Sequence, residues 1–195
     1  MSEPDTFAEY PLVPDRACGS CNVCCVALTI ADPELQKAQG YRCKNTLPNN
    51  GCAIYETRPR TCRTFHCGWR RLKWIREPLR PDTSGVLIRF QYEKPVGDEP
   101  PVLGIILTLL TNAALKAEGL AETVAAAITA NIPLYLHVPG PPGYTSSMAK
   151  INEVLGHPVA TKDKAGVLQV LRIARSRGRA GKHDPIVFSV LPPNS

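Results

Sequence analysis

The run Cys18-Gly19-Ser20-Cys21-Asn22-Val23-Cys24-Cys25 places four cysteines in eight residues, and four more follow at Cys43, Cys52, Cys62 and Cys67. No cysteine occurs beyond Cys67 in a chain of 195 residues. A two-residue gap lets both sulfurs of a pair turn toward one ion, with backbone amides donating to sulfur. A lone pair at that spacing is weak evidence. Eight thiols confined to the first third of a chain are a strong signal.

How the thiols are read depends on the compartment. Residues 1–17 are acidic and broken by proline, without the basic start and apolar run of a secretory signal. No stretch approaches the roughly 18 apolar residues needed to span a bilayer, so no membrane partner is expected. The chain is therefore expected in the cytoplasm, where structural disulfides do not persist, and the cysteines read as metal ligands.

The metal is left open by the residues. Zinc takes four thiolates tetrahedrally, so eight cysteines allow two closed sites. The adjacent Cys24 and Cys25 point in different directions, so they serve different ions or one of them lies outside the metal's direct ligands. Cys18, Cys21 and Cys24 also match the first three ligands of a bacterial ferredoxin run, which requires a distal fourth. The fourth cysteine of that run, three residues on and followed by proline, is absent. Zn2+ and a [4Fe-4S]-type Fe–S cluster both remain candidates, with Cys18, Cys21 and Cys24 grouped with one distal cysteine by their close spacing.

Three parts follow along the chain: a polar leader at 1–16, a Cys-rich metal-chelating module at 17–80, and a cysteine-free region at 81–195. In the module, Asp32-Pro33-Glu34 reads as a helix start and Gly40 as its end. Gly51 to Tyr55 reads as a short strand, and Pro59 as lying near the start of a helix carrying Cys62, Phe65 and His66 on one face. Trp69, Leu72 and Ile75 continue the helical spacing. The third part predicts strands at 86–92 and 102–108 forming a hairpin, a helix over 112–130, a strand at 133–138, helices at 146–155 and 164–175, and a strand at 186–190. The fold class expected is α+β: a small irregular Cys-rich module packed on a mixed α/β region with a short antiparallel sheet. The third part reads as a scaffold without chemistry of its own.

The module is also basic. From Asp15 to Arg80, twelve Lys and Arg stand against five Asp and Glu. Such a field stabilises deprotonated thiols and the anionic centre they build. Arg58 and Arg63, flanking Cys62, are the candidates for hydrogen bonds to sulfur or to nearby carbonyls around the bound cofactor.

The run at 18–25, followed by Gly51-Cys52-Ala53-Ile54-Tyr55-Glu56-Thr57-Arg58-Pro59-Arg60-Thr61-Cys62-Arg63-Thr64-Phe65-His66-Cys67, resembles the YkgJ-like family, the CxxCxxCC group of zinc- or iron-chelating proteins. The likeness covers residues 17–68. It implies chelation by the cysteines at these positions, and it implies no reaction. His66 departs from the proline many members carry. A relative in the wider group, the flagellin lysine N-methylase, implies an alternative, an iron–sulfur enzyme or redox protein. No Gly-rich nucleotide-binding turn follows a strand here, so no catalytic residue is assigned and enzymatic activity is left open.

A further alternative is a basic nucleic-acid-binding zinc protein, with Trp69 and Trp74 for stacking and Arg172, Arg175, Arg177, Arg179 and Lys182 for phosphates. Basic residues without a recognition element more often form a solvated face. The two tryptophans are five apart and are expected in the core. His137, His157 and His183 have no carboxylate partner evident in the sequence and read as surface or satisfied core residues. The metal ion is the one partner the residues name; no protein partner can be read from them.

Overall fold

The structure, a computed structural model, describes residues 7, 9–93 and 100–188. Its fold class is α+β, organised on a four-stranded sheet. Strands β3 (Val86–Glu93) and β4 (Val102–Leu109) pair antiparallel over eight residues each, as their β-branched, apolar runs predict. The expected connecting loop falls largely on residues 94–99, outside the described residues. Strand β5 (Leu134–Val138) joins β4 in parallel, with Ile106 opposite Tyr135 and Thr108 opposite His137. Strand β6 (Ser147–Lys150) closes the order β3-β4-β5-β6 antiparallel to β5. A helix was expected at 146–155. Instead Ser147–Lys150 pairs with β5, and helix α6 (Asn152–Ala160) begins two residues later.

The parallel β4–β5 pair needs a crossover, and helix α5 (Leu120–Thr129) supplies it. It is shorter than the expected 112–130. Gly119 has φ +80°, and a Cβ there would lie 2.7 Å from Cβ of Arg76, so a left-handed glycine starts the helix. Helix α7 (Lys164–Ala180) is capped by Asp163, whose carboxylate accepts from Gly166 N–H at 2.9 Å. It outruns the expected 175 and packs on β5 through Gly178 and Val138. Ile88, Leu107, Leu136 and Val138 occupy alternate positions facing these helices, and with Val124, Leu155 and Leu171 they make the core. The predicted strand at 186–190 is absent over 186–188, next to an isolated bridge from Pro185 to Tyr144; 189–190 lie outside the described residues.

The cysteine-rich segment is irregular, as expected, but its elements differ from the sequence reading. Asp32-Pro33 starts a turn, not a helix. Asp32 accepts from Glu34 N–H at 3.0 Å, and β1 (Ile30–Asp32) and β2 (Leu35–Lys37) form a small antiparallel hairpin. Asp at the first position and Pro at the second suit a β-turn as well as a helix start, and the inward alternation of Leu35 and Lys37 decides for strand. Gly40 is left-handed at φ +81°, but it ends the hairpin and lets the chain pass within touching distance of Pro142. Residues 51–55 make only a bridge from Cys52 to Thr46.

The helix expected to carry Cys62, Phe65 and His66 on one face is broken in two. Helix α2 (Arg60–Thr64) stops before Phe65, and α3 (Gly68–Arg71) starts after Cys67. Trp69, Leu72 and Ile75 are buried regardless. Trp74 is not: it is 38% exposed. Arg175 is buried and donates to the Leu109 carbonyl at 3.1 Å, which removes it from the basic surface run. The leader is not loose where it is described. Phe7 stacks on Tyr92 at 5.2 Å, and Arg16 is buried against the turn at 69–75. Among the described residues no helix is long and apolar enough to cross a membrane.

Candidate metal centre

The site is assembled by short-range backbone bonds within the irregular segment. Cys21 N–H donates to the Cys18 carbonyl at 2.8 Å, closing the first turn. Helix α1 (Val23–Ala27) then carries Cys24 and Cys25. Cys43 N–H donates to the Cys25 carbonyl at 2.9 Å, so the distal Cys43 is pinned beside the first run. Thr46 N–H donates to the Cys43 carbonyl at 3.0 Å and pairs with Cys52, which draws Cys52 in. Cys62 rides on α2, and Cys67 sits at the N-cap position of α3.

All eight cysteines line one cavity of about 660 Å³. None forms a disulfide; Cys43 and Cys67 are buried and the other six half-buried. Their mutual electrostatic influence runs through the whole group. The Cys67 thiol feels Cys18 and Cys21, whereas Cys24 feels Cys25 first and then the same two. Cys62 feels Cys25, Cys43 and Cys52. Cys24 and Cys25 therefore link the neighbours of Cys67 to those of Cys62.

The thiols' acidities follow from what surrounds them. Burial pushes Cys67 up to about 11, with the backbone amides of Arg70 and Trp69 opposing. Burial also raises Cys21 and Cys62. Cys24 and Cys25 share a hydrogen bond that splits them. Cys24 donates and is pushed up; Cys25 accepts and is pushed down, helped by the charges of Lys37 and Arg58.

Arg58 lines the cavity, lies 3.7 Å over the Tyr55 ring and donates to the Tyr55 carbonyl at 2.7 Å. Arg63 is exposed and donates at 2.7 Å to the Arg58 carbonyl, which braces Arg58 without reaching the cavity. Both make the carbonyl bonds expected of them. Lys37 was not foreseen. It is 6% exposed, and its ammonium donates to the carbonyls of Val26, Leu28 and Ala38 at 3.1, 2.6 and 3.0 Å. Burial lowers its pKa, and Cys43, Cys25 and Cys24 pull it back. Its sequence signal was the strand alternation with Leu35, hidden by the helix reading.

Among the described residues, no three Cys, His, Asp or Glu side chains converge tightly enough to hold a metal ion as they stand. The sulfurs ring a cavity and do not meet at a point. The donor chemistry nevertheless fits a thiophilic metal. Eight soft sulfur donors surround one space, Arg58, Arg70 and Arg89 line it with them, and no carboxylate does.

The far wall comes from the sheet, which the sequence reading had taken as a scaffold without chemistry. Leu87 and Arg89 of β3, His137 of β5 and Met148 of β6 line the cavity on the face opposite the helices. His137 Nδ1 lies 3.1 Å from Thr108 Oγ1. Burial, then the charge of Arg89, lowers its pKa to about 4. The unfolded chain takes up a proton near pH 6.5 while the folded chain refuses it until about 4. Stability contributed by His137 is complete above pH 6.5 and is lost as pH falls through that window. The loss should reach about 2–4 kcal/mol at pH 4 and should shrink in His137→Gln, read from urea midpoints against pH. An equal acid loss in the variant would contradict this.

Comparison with family models, with curated proteins and with solved structures finds no match to this chain.

Proposed function

We propose that this chain is a thiolate metal-binding protein with two centres. One is held by Cys18, Cys21, Cys24 and Cys67, the other by Cys25, Cys43, Cys52 and Cys62. The observation that carries the reading is the enclosure of all eight thiols in one cavity; the grouping follows Cys67 acting with Cys18 and Cys21, and Cys62 with Cys25, Cys43 and Cys52. Lys37 and Arg58 offset the negative charge such centres accumulate. The occupant is Zn2+ or a [4Fe-4S]-type cluster. Zinc would supply a structural cross-link, and a cluster would supply electron transfer or a Lewis-acidic iron. Eight free thiols suit a reducing, cytoplasmic setting.

Anaerobic purification followed by metal analysis tests this directly. A zinc protein is colourless and carries up to two zinc per chain; an iron–sulfur protein is brown and bleaches in air. Cys67→Ser should remove the first centre and Cys62→Ser the second. Neither metal at stoichiometric level would sink the reading.

A second reading, an iron–sulfur enzyme or redox protein, is favoured by one observation. The cavity extends beyond the cysteines to the sheet and falls in the size range of sites for small organic ligands. The nucleic-acid reading loses Trp69 and Arg175 to the interior.

A further inference from the structure

Arg89 is a lone charge in the apolar strand Val86-Leu87-Ile88-Arg89-Phe90. Strand alternation puts it with Leu87 on the cavity face, and the register sets Ile106 between it and Tyr135. Its Nε is buried and makes no hydrogen bond, and the same holds for Nε of Arg70 on the same cavity. Among the described residues neither guanidinium has a carboxylate partner. The main charges acting on the thiols come from Lys37, Arg58 and Arg80, so Arg89 is not engaged there either. Its pKa is lowered by burial alone, with no anion offsetting it. The nearest titratable neighbour acting with it is His137, held neutral, which gives a hydrogen-bonding group and no countercharge.

A half-buried guanidinium whose Nε is sealed from solvent without an acceptor or counter-ion is costly, and such cost collects where a ligand completes the site. The rest of the wall says what kind of ligand. Leu87, Met148 and Ile186 are apolar, and Thr145 and Ser146 are polar but small.

We propose that this cavity binds a small organic oxyanion, its carboxylate or phosphate head paired with Arg89 and its apolar body along Leu87, Met148 and Ile186. Both heads present oxygens that match the guanidinium fork. Placing this ligand beside a metal centre rests on the function proposed above; the anion site itself stands on residues of the sheet.

The test is calorimetric titration of the full chain, as purified, with inorganic phosphate and separately with hexanoate, metal content being measured on the same samples. Wild type should bind at least one, and the stronger arm identifies the head. Arg89→Met should weaken that binding about tenfold or more, and Arg89→Lys less, because the charge is kept and the fork lost. Without ligand, Arg89→Met should raise Tm by about 2–4 °C, since an unpaired half-buried charge has been removed. Metal content should not change.

Wild type binding neither probe overturns the proposal. So does Arg89→Met binding as wild type does, a Tm that falls in that variant, or loss of metal with the arginine. Anion binding through Arg89 in a chain without stoichiometric metal would defeat the metal reading and leave this one standing.

Discussion

With metal bound as proposed, a chelator is expected to unfold residues 17–67 while the four-stranded sheet and its helices stay folded. The reason is the distribution of apolar burial. Helices α1 and α2 have five residues each and no buried residue, and β1 and β2 have three residues each. Across residues 17–67 the buried apolar side chains are Leu35, Cys43 and Cys67, whereas the core from Trp69 onward is continuous through the sheet and α5–α7. Elements this short do not repay the entropy of ordering them. In small zinc modules the metal contributes on the order of 10–16 kcal/mol at neutral pH, which is folding free energy. Hydrogen exchange read by mass spectrometry should show protection in residues 17–67 collapse on chelation and that in β3–β5 persist. Unchanged protection in 17–67 would mean that metal does not hold the segment.

The second large effect is expected at Arg16. Its guanidinium donates to the carbonyls of Trp69 at 2.7 Å, Leu72 at 3.1 Å and Ile75 at 2.7 Å, and it lies 5.2 Å from the Trp69 ring. These carbonyls belong to a turn with few partners of its own, and a 7% exposed arginine satisfies them. Arg16→Ala removes the side-chain donor to the Trp69 and Ile75 carbonyls, while Leu72 keeps the Ile75 N–H at 3.1 Å, and should cost about 3–5 kcal/mol in urea unfolding. The ion pair with Glu77 is a separate matter. Glu77 is 68% exposed, so Glu77→Gln should cost less than about 1 kcal/mol. Because Cys18 follows two residues later, Arg16→Ala should also loosen the first cysteine run. A cost below about 1 kcal/mol would show that solvent replaces the three bonds.

Local pattern made some of the fold legible. The eight-residue strands β3 and β4 and the five-residue β5 announce themselves by apolar, β-branched runs, and α7 by its periodicity and Asp163 cap. The failures share a cause. Asp32-Pro33 and the segment at 146–155 carry signals compatible with two structures, and long-range pairing chose between them. Ser147–Lys150 became a strand because β5 presented an edge; Leu35 and Lys37 lie on one strand face, Leu35 against the cysteine cavity and Lys37 on the carbonyls of Val26, Leu28 and Ala38.

The eight cysteines as a dense set of soft donors were legible from residue type and spacing alone, since a thiol's donor chemistry lies in its own atoms. Only the tertiary structure brought all eight to one cavity, with Cys43 held to the Cys25 carbonyl by its backbone N–H. Only it placed Arg89 and His137 on the wall of that cavity and buried Lys37 within reach of Cys43, Cys25 and Cys24, since burial of a charge is a property of the packed chain. What began as a dense run of thiols is, in the folded chain, one wall of a cavity whose other wall is a sheet with an unpaired arginine.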